Sequence, residues 1–126
     1  MAAGREEFER QLRELDYSPD PSAPGNWAIF KYKVPGGKFE EQVIDLAFDV
    51  PTDFPRTPPG GPNIRPQLLP IGPGNGQHPT KVDASNLGTD WEYWSRPYIN
   101  AHRPWRGRET VQTYLAHIDN LFQTIP

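Results

Sequence analysis

Cysteine is absent from the 126-residue sequence. A disulfide bond, a zinc site with cysteine ligands and a cysteine nucleophile all need a thiol, so this chain can supply none of them. The chain is nevertheless long enough to form a hydrophobic core without covalent or metal cross-links. We therefore expect residues 1–126 to form a single domain.

A positive net charge and long apolar runs are also missing. The formal net charge is −3, so the chain lacks the overall basic field that attracts nucleic acids. No stretch approaches the ~20 apolar residues of a membrane span, and the acidic N-terminal segment lacks the apolar region of a signal peptide. These absences predict a soluble, cytoplasmic protein that binds neither nucleic acid nor a membrane.

Metal-binding and phosphate-binding motifs are absent as well. The histidines and acidic residues do not show a His-x-x-x-His spacing or a comparable one. The glycine-rich residues 70–76 lack the Lys-Ser/Thr pair of a phosphate-binding loop, and no helical pattern follows them. The sequence therefore predicts no metal site and no cofactor.

Two helical patterns and two strand patterns can be read from the spacing of apolar residues. Phe8, Leu12 and Leu15 predict one face of a short N-terminal helix that ends before Ser18. Period-two alternation predicts strands at residues 26–34 and 43–50, joined by a turn at residues 35–38. A longer amphipathic helix is predicted near the C-terminus, with an apolar stripe made of Val111, Tyr114, Leu115, Ile118, Leu121, Phe122 and Ile125.

Proline and glycine set the character of the middle of the chain. Most of the 16 prolines and 11 glycines fall between residues 19 and 79, and proline fixes φ and removes a backbone donor, so this part is not mainly helical. Residues 63–66 are a candidate third strand, and residues 67–90, which show no periodicity, are expected to be a long loop. The expected architecture is an α+β domain in which an antiparallel sheet of three to four strands carries an N-terminal helix and a C-terminal amphipathic helix.

The segment from Gly88 to Phe122 concentrates tryptophan and arginine. Trp94 and Trp105 are expected to be mostly buried against Leu115 and Ile118, because large aromatic side chains before an amphipathic helix usually anchor the core. The alternative is that the tryptophans anchor a partner. The basic residues form a cluster that either binds a partner's carboxylate or phosphate or pairs with the chain's own acids; they are Arg96, Arg103, Arg106 and Arg108.

The three histidines are the candidates for acid–base chemistry. His117 falls off the apolar stripe of the C-terminal helix and is expected at the surface or the edge of the core. His78 and His102 lie in predicted loops, where they either take part in catalysis or hold the loop in place. No nucleophile stands beside any of them in a recognised arrangement.

The order of the predicted elements resembles the ubiquitin-conjugating enzyme fold. The segment DFPRTPP at residues 53–59 resembles that fold's Tyr-Pro-x-x-Pro-Pro turn, and His78-Pro79 is similar to the start of its His-Pro-Asn tripeptide, with Thr80 in place of asparagine. A bacterial branch, the prokaryotic ubiquitin-conjugating-enzyme-like family E, is similar over most of the chain. The residues that carry this resemblance are Gly88, Trp91, Trp94-Ser95-Arg96, Trp105-Arg106-Gly107-Arg108 and Tyr114-Leu115.

The chain departs from that family's pattern in two ways. Pro97 stands where the family has histidine, with His102 the nearest substitute, and there is no cysteine to form a thioester. Either the chain is a non-catalytic variant or a native cysteine has been replaced; Ala84 and Ser85 fall in the corresponding segment. The resemblance implies a bacterial ubiquitin-like modification system whose modifier and activating enzyme are the expected partners, with a deconjugating metallopeptidase as a further candidate.

Three hypotheses about function follow. The resemblance predicts a ubiquitin-conjugating-enzyme-like adaptor that binds the modifier, its activating enzyme or both. One alternative is an enzyme of the same pathway that uses His102 or His78 in place of cysteine, and a second is a protein-interaction domain unrelated to modifiers. The candidate binding residues are Trp94, Ser95, Arg96, His102, Arg103 and Arg106.

Overall fold

The computed structural model describes residues 3–68, 72–73, 81–94, 105 and 109–124. Within these ranges the chain forms two helices, α1 (Gly4–Glu14) and α2 (Val111–Gln123), and six strands. The strands are β1 (Trp27–Lys33), β2 (Val43–Asp49), β3 (Asn63–Arg65), β4 (Gly72–Pro73), β5 (Lys81–Ser85) and β6 (Gly88–Trp94).

The six strands form one sheet in the order β1-β2-β3-β6-β5-β4, and every neighbouring pair is antiparallel. One face of the β1–β2 hairpin is at most 2% exposed, as predicted, and Asp45 and Ala47 on the other face of β2 are buried as well, at 8% and 0%. The core-facing residues of this hairpin are Ala28, Phe30, Tyr32, Ile44, Leu46 and Phe48. The core-facing residues predicted for both strands are therefore confirmed, but β2 is buried on both faces from residue 44 to residue 48 and does not alternate in burial.

Both helices pack on the face of the sheet that carries Phe48. The Phe8 ring of α1 lies 5.7 Å from the Phe48 ring, and the Tyr114 ring of α2 lies 5.1 Å from it. Farther along α2, the Phe122 ring lies 5.0 Å from the Trp94 ring of β6. One hydrophobic core thus forms between the sheet and the two helices, which confirms the expected α+β class.

Two hydrogen bonds fix the start of α2. Thr110 caps α2, since its hydroxyl accepts a hydrogen bond of 3.1 Å from the Thr113 N–H. The side-chain oxygen of Gln11 accepts from the Val111 N–H at 2.7 Å and so joins α1 to the start of α2. Helix α1 ends at Glu14, so Leu15 is 36% exposed and does not belong to the buried stripe.

No helix in the described ranges combines the length and the apolar character that crossing a membrane requires.

The sheet has more strands than the three to four expected, because part of the predicted loop at residues 67–90 forms β4, β5 and the beginning of β6. Strand β5 buries Val82 alone, at 3% exposure, so it lacks the repeated apolar residues that mark a strand in a sequence. Strand β4 contains Gly72 and Pro73 and lies at the sheet edge, where proline is tolerated. Backbone hydrogen bonds to neighbouring strands hold these strands in the sheet, and the spacing of apolar residues does not reveal such bonds.

Candidate functional site

A pocket of about 290 Å³ opens on the face of the sheet that points away from the helices. Trp27 is opposite Asp49 in β1 and β2, and Asn63 is opposite Tyr93 in β3 and β6. Residues opposite each other in an antiparallel pair share a face, and Phe48, next to Asp49, points to the helices instead. We call this cavity the outer-face pocket; it is lined by Trp27, Asp49, Gly60, Gly61, Asn63, Ala84, Asn86 and Tyr93.

Asn63 is the most firmly held side chain of the outer-face pocket. It is 4% exposed, and its amide nitrogen donates to the Ala47 carbonyl oxygen at 3.4 Å. Its amide oxygen accepts a hydrogen bond of 2.8 Å from the Ser85 hydroxyl, which itself accepts from the Leu87 N–H at 3.1 Å. These contacts tie β3 to the turn after β5, across the intervening strand β6.

Two tyrosines fix the glycine segment at the rim of the pocket. The Tyr93 hydroxyl accepts a hydrogen bond of 3.3 Å from the Gly61 N–H, and the Tyr114 hydroxyl donates to the Gly60 carbonyl oxygen. Burial, assisted by the nearby Tyr93, raises the pKa of Tyr114 well above its ordinary value. The Tyr114 hydroxyl therefore remains a hydrogen-bond donor throughout the physiological pH range.

An ion cluster occupies the same face of the sheet, farther along β1, β2 and β3. The Asp45 carboxylate contacts the Lys31 ammonium at 2.8 Å and the Arg65 guanidinium at 2.7 Å. The Arg65 guanidinium also lies 4.5 Å from the centre of the Trp91 ring, which is a cation–π arrangement. Burial raises the pKa of Asp45, but the hydrogen bonds from Lys31 and Arg65 outweigh it and hold the pKa below its ordinary value.

Glu92 is a fully buried carboxylate on the opposite, core-facing side of β6. Its Oε1 atom accepts a hydrogen bond of 2.6 Å from the Leu68 N–H and one of 3.2 Å from the Trp94 indole N–H. A buried carboxylate needs such donors, because leaving its charge unsolvated would be very costly. Glu92 thus links the segment after β3 to the tryptophan that anchors β6.

The sequence-based candidates fall into two groups. Ala84 and Ser85 adjoin the outer-face pocket, where Ala84 is exposed and Ser85 is half-buried. The recorded partners of the Ser85 hydroxyl, an amide oxygen and a backbone N–H, are not bases that would activate it as a nucleophile. Trp94 is among the described residues, and the remaining candidates lie outside them: His78, Ser95, Arg96, His102, Arg103 and Arg106.

Two of the expected tryptophan anchors differ in burial. Trp94 is 0% exposed, as predicted, and its ring neighbour is Phe122. Trp105 is only half-buried: its indole N–H donates to the Pro55 carbonyl oxygen at 2.8 Å, and its ring lies 6.3 Å from that of Phe54. The prediction of mostly buried side chains is confirmed for Trp94, whereas Trp105 is less deeply buried and packs against the edge of the same core, where its indole N–H is satisfied.

His117 lies deeper than a surface position. It is 9% exposed, and its ring lies 5.8 Å from the Tyr114 ring in an edge-on arrangement. The helical stripe predicted from purely apolar residues omitted this face of α2. His117 therefore belongs to the edge of the core.

Apart from Ala84, the residues that line the outer-face pocket were not candidates in the sequence. Asn63 and Tyr93 come from strands that are distant along the chain, and only the strand register makes them neighbours. The one local signal is the polar side chain of Asn63 at the start of a short strand. Across the part of the chain that the structure describes, no group of three or more His, Asp or Glu side chains is placed to hold a metal ion.

The comparison with protein families gives one match. The model of the family described as prokaryotic E2 family E matches residues 6–124. A search of curated proteins and a search of solved structures find no significant match. The matched range contains α1 from Glu6 onward, all of α2, all six strands and the residues that line the outer-face pocket.

Proposed function

We propose, given that this chain belongs to the prokaryotic E2 family E, that it is a non-catalytic or atypical ubiquitin-conjugating-enzyme-like protein that binds a ubiquitin-like modifier, its activating enzyme or both. Membership of the family supports a ubiquitin-conjugating-like role in a prokaryotic modification system. The observation that carries the finer proposal is that the family match covers residues 6–124 of a chain without cysteine.

The absence of cysteine decides between carrying the modifier and binding it. A thioester forms when a thiolate attacks an activated carboxyl group, and no other side chain yields the same adduct. The chain cannot take the modifier in this way. Recognition of the modifier or of its activating enzyme does not need the thiol, so a binding role remains compatible with the family fold.

The arginine cluster is the proposed contact to the modifier. Arg96, Arg103, Arg106 and Arg108 are four cations within thirteen residues of a chain whose net charge is −3. Guanidinium groups form paired, charge-assisted hydrogen bonds with carboxylates, such as the C-terminal tail of a modifier. Trp94 supports this proposal indirectly, because it fixes the end of β6 directly before the cluster begins.

The first experiment supplies ATP together with the activating enzyme and the modifier of the proposed system. We expect complex formation on size-exclusion chromatography and no reductant-sensitive adduct in electrophoresis. A reductant-sensitive adduct would overturn the premise that thiolate chemistry is absent. Binding to neither protein would favour an interaction domain unrelated to modifiers.

The same assay addresses the alternative in which a histidine replaces cysteine. An acyl-imidazole adduct is an activated acyl group that hydroxylamine cleaves, as it also cleaves a thioester, so the adduct is assigned by replacing the histidine. The proposed binding role predicts no such adduct. An adduct that disappears in His102→Ala or His78→Ala would assign catalysis to that histidine.

The second experiment measures the contribution of the arginine cluster by calorimetric titration of the modifier. We expect the Arg103→Glu, Arg106→Glu double variant to bind more weakly and with less dependence on salt, because charge-assisted contacts are screened by ions. The control is Arg13→Glu, Arg56→Glu, which makes the same charge change at two exposed arginines elsewhere. Equal loss of affinity in both variants would show that the change in net charge, and not the arginine cluster, weakens binding.

A further inference from the structure

We propose that the outer-face pocket binds the protonated side chain of a lysine or arginine that belongs to a partner protein. This site goes beyond the proposed adaptor role and does not depend on it. The inference rests on the charge of the lining, on its aromatic walls, on the size of the cavity and on the way its polar groups are held.

The charge of the lining favours a cation. Among the described residues that line the pocket, Asp49 is the only charged one, so this lining is negative. The Asp49 side chain is exposed, and its carboxylate makes neither an ion pair nor a hydrogen bond within the described ranges. The nearby cations of the same face, Lys31 and Arg65, are both bound to Asp45. A cation from outside the chain would therefore meet an available carboxylate.

The aromatic walls favour the same type of ligand. Trp27 is opposite Asp49 in the sheet, and Tyr93 lines the other side of the pocket beside Asn63. The face of an aromatic ring attracts ammonium and guanidinium groups, and its edges pack against the methylene stem of a long side chain. A carboxylate between two aromatic residues suits lysine and arginine better than an anion or a purely apolar group.

The size of the cavity limits what can enter. Sites for drug-sized ligands and cofactors usually measure about 300–1,000 Å³, and this pocket, at about 290 Å³, lies just below that range. A single long side chain presented by a partner fits such a volume, whereas a dinucleotide or another large cofactor does not.

The polar groups of the pocket are fixed before any ligand arrives. Asn63 is held by Ala47 and Ser85, and the Gly60–Gly61 backbone is held by Tyr114 and Tyr93. Binding to groups that are already ordered costs less conformational entropy. Asp49, at the end of β2, and Asn86, in the turn after β5, are exposed at the opening and are placed to meet the incoming charge first.

The test is a nuclear magnetic resonance titration of the whole isotope-labelled chain with three small probes. They are Nα-acetyl-lysine N-methylamide, the corresponding arginine derivative, and the norleucine derivative, which keeps the aliphatic stem and lacks the charge. We expect saturable shifts of the amide signals of Asp49, Asn63, Asn86 and Tyr93 with a cationic probe and no saturable shifts with norleucine. Equal binding of norleucine, or no shift with either cation up to its solubility limit, would overturn the proposal.

Two isosteric variants make the test specific. Asp49→Asn removes the charge at the pocket, and we expect the cationic probe to bind about three- to tenfold more weakly, as the loss of one charge-assisted contact implies. Glu40→Gln removes an exposed charge elsewhere and should leave the affinity unchanged. The amide spectrum of each free variant verifies that the fold is retained. Unchanged affinity in Asp49→Asn contradicts the site, and because no modifier or activating enzyme is present, that result leaves the adaptor proposal intact.

Discussion

Trp94 connects the sheet to the second helix through both its ring and its indole nitrogen. The ring lies 5.0 Å from Phe122 of α2, and the N–H donates to the Glu92 carboxylate two residues earlier on β6. Trp94 is 0% exposed and is the largest of the fully buried side chains. The stability of β6 against α2 therefore depends on this one residue more than on any other aromatic residue of that strand.

Replacing Trp94 tests that dependence. We expect Trp94→Ala to lower the free energy of unfolding by about 3–5 kcal/mol, because it leaves a cavity and removes a hydrogen-bond donor from buried Glu92. The control is Trp27→Ala, which removes the same atoms from a half-exposed position on the outer face and should cost clearly less. Urea denaturation followed by circular dichroism measures both changes. Unfolding curves that coincide with the wild-type curve for Trp94→Ala would contradict the assignment.

Asp45 gives a pH-dependent contribution whose sign follows from its pKa. Lys31 and Arg65 hold the pKa of folded Asp45 below its ordinary value of 3.8. The ionised carboxylate is therefore more stable in the folded chain than in the unfolded chain. The resulting stabilisation is present above the unfolded pKa and is lost as the pH falls through the folded pKa. We expect Asp45→Asn to lower the free energy of unfolding by about 1 kcal/mol at pH 7.

Denaturation of Asp45→Asn at a series of pH values is the measurement. The difference from the wild-type chain should shrink as the pH falls below the ordinary range of aspartate and should be absent once Asp45 is protonated in both states. Asp49→Asn is the matched control, since Asp49 makes no ion pair within the described ranges. A difference for Asp45→Asn that persists unchanged into acid would show that its ion pairs do not contribute.

The helices and strands divide into those that sequence periodicity predicts and those that it does not. Helix α2, β1 and β2 each place three or more apolar residues on one face, and the core-facing residues predicted for them are buried, except Ile125, which lies outside the described residues. Strands β4 and β5 were expected to be loop, because β4 has two residues and β5 buries one apolar side chain. What places β4 and β5 is their pairing with each other and with β6, which depends on residues far apart in the sequence.

The turn between β1 and β2 meets the end of α2 at Gly37. This glycine has φ of +88°, and a Cβ atom there would overlap the Phe122 carbonyl oxygen. We expect Gly37→Ala to destabilise the fold by at least about 1 kcal/mol, through backbone strain combined with overlap. Gly25→Ala is the control. Gly25 has φ of +54° and no atom lies near the added Cβ, so this variant measures the backbone strain without the overlap. Equal melting temperatures for the two variants would show that the contact with α2 is unimportant.

For the molecule as a whole, the family could be recognised from the sequence, whereas the outer-face pocket could not. Trp94-Ser95-Arg96 and Tyr114-Leu115 are local motifs, and the family match over residues 6–124 agrees with them. The pocket instead combines side chains of β1, β2, β3 and β6 with the turn after β5, and its geometry follows from the strand order. Local motifs identify the family, but only the strand register brings Asp49, Asn63 and Tyr93 together.

Ala84 and Ser85 allow the question of a missing thiol to be tested on the intact fold. Ala84 is exposed at the outer-face pocket, whereas the Ser85 hydroxyl is held by Asn63 and Leu87. A thiol needs access to the activated modifier in order to attack it. With activating enzyme, ATP and modifier supplied, we expect no reductant-sensitive adduct on the wild-type chain and more adduct on Ala84→Cys than on Ser85→Cys.

Electrophoresis with and without reductant measures this outcome, and Ala84→Ser, which adds a hydroxyl at the same position, is the control for a change in size. An adduct on Ala84→Cys alone would identify position 84 as one where a native nucleophile has been replaced, on a scaffold that still receives the modifier. Adducts of equal yield on both cysteine variants would indicate general thiol reactivity near the activating enzyme. No adduct on either variant, with binding of the activating enzyme retained, would mean that this part of the fold does not meet the activated carboxyl group, and the chain would then act by binding alone.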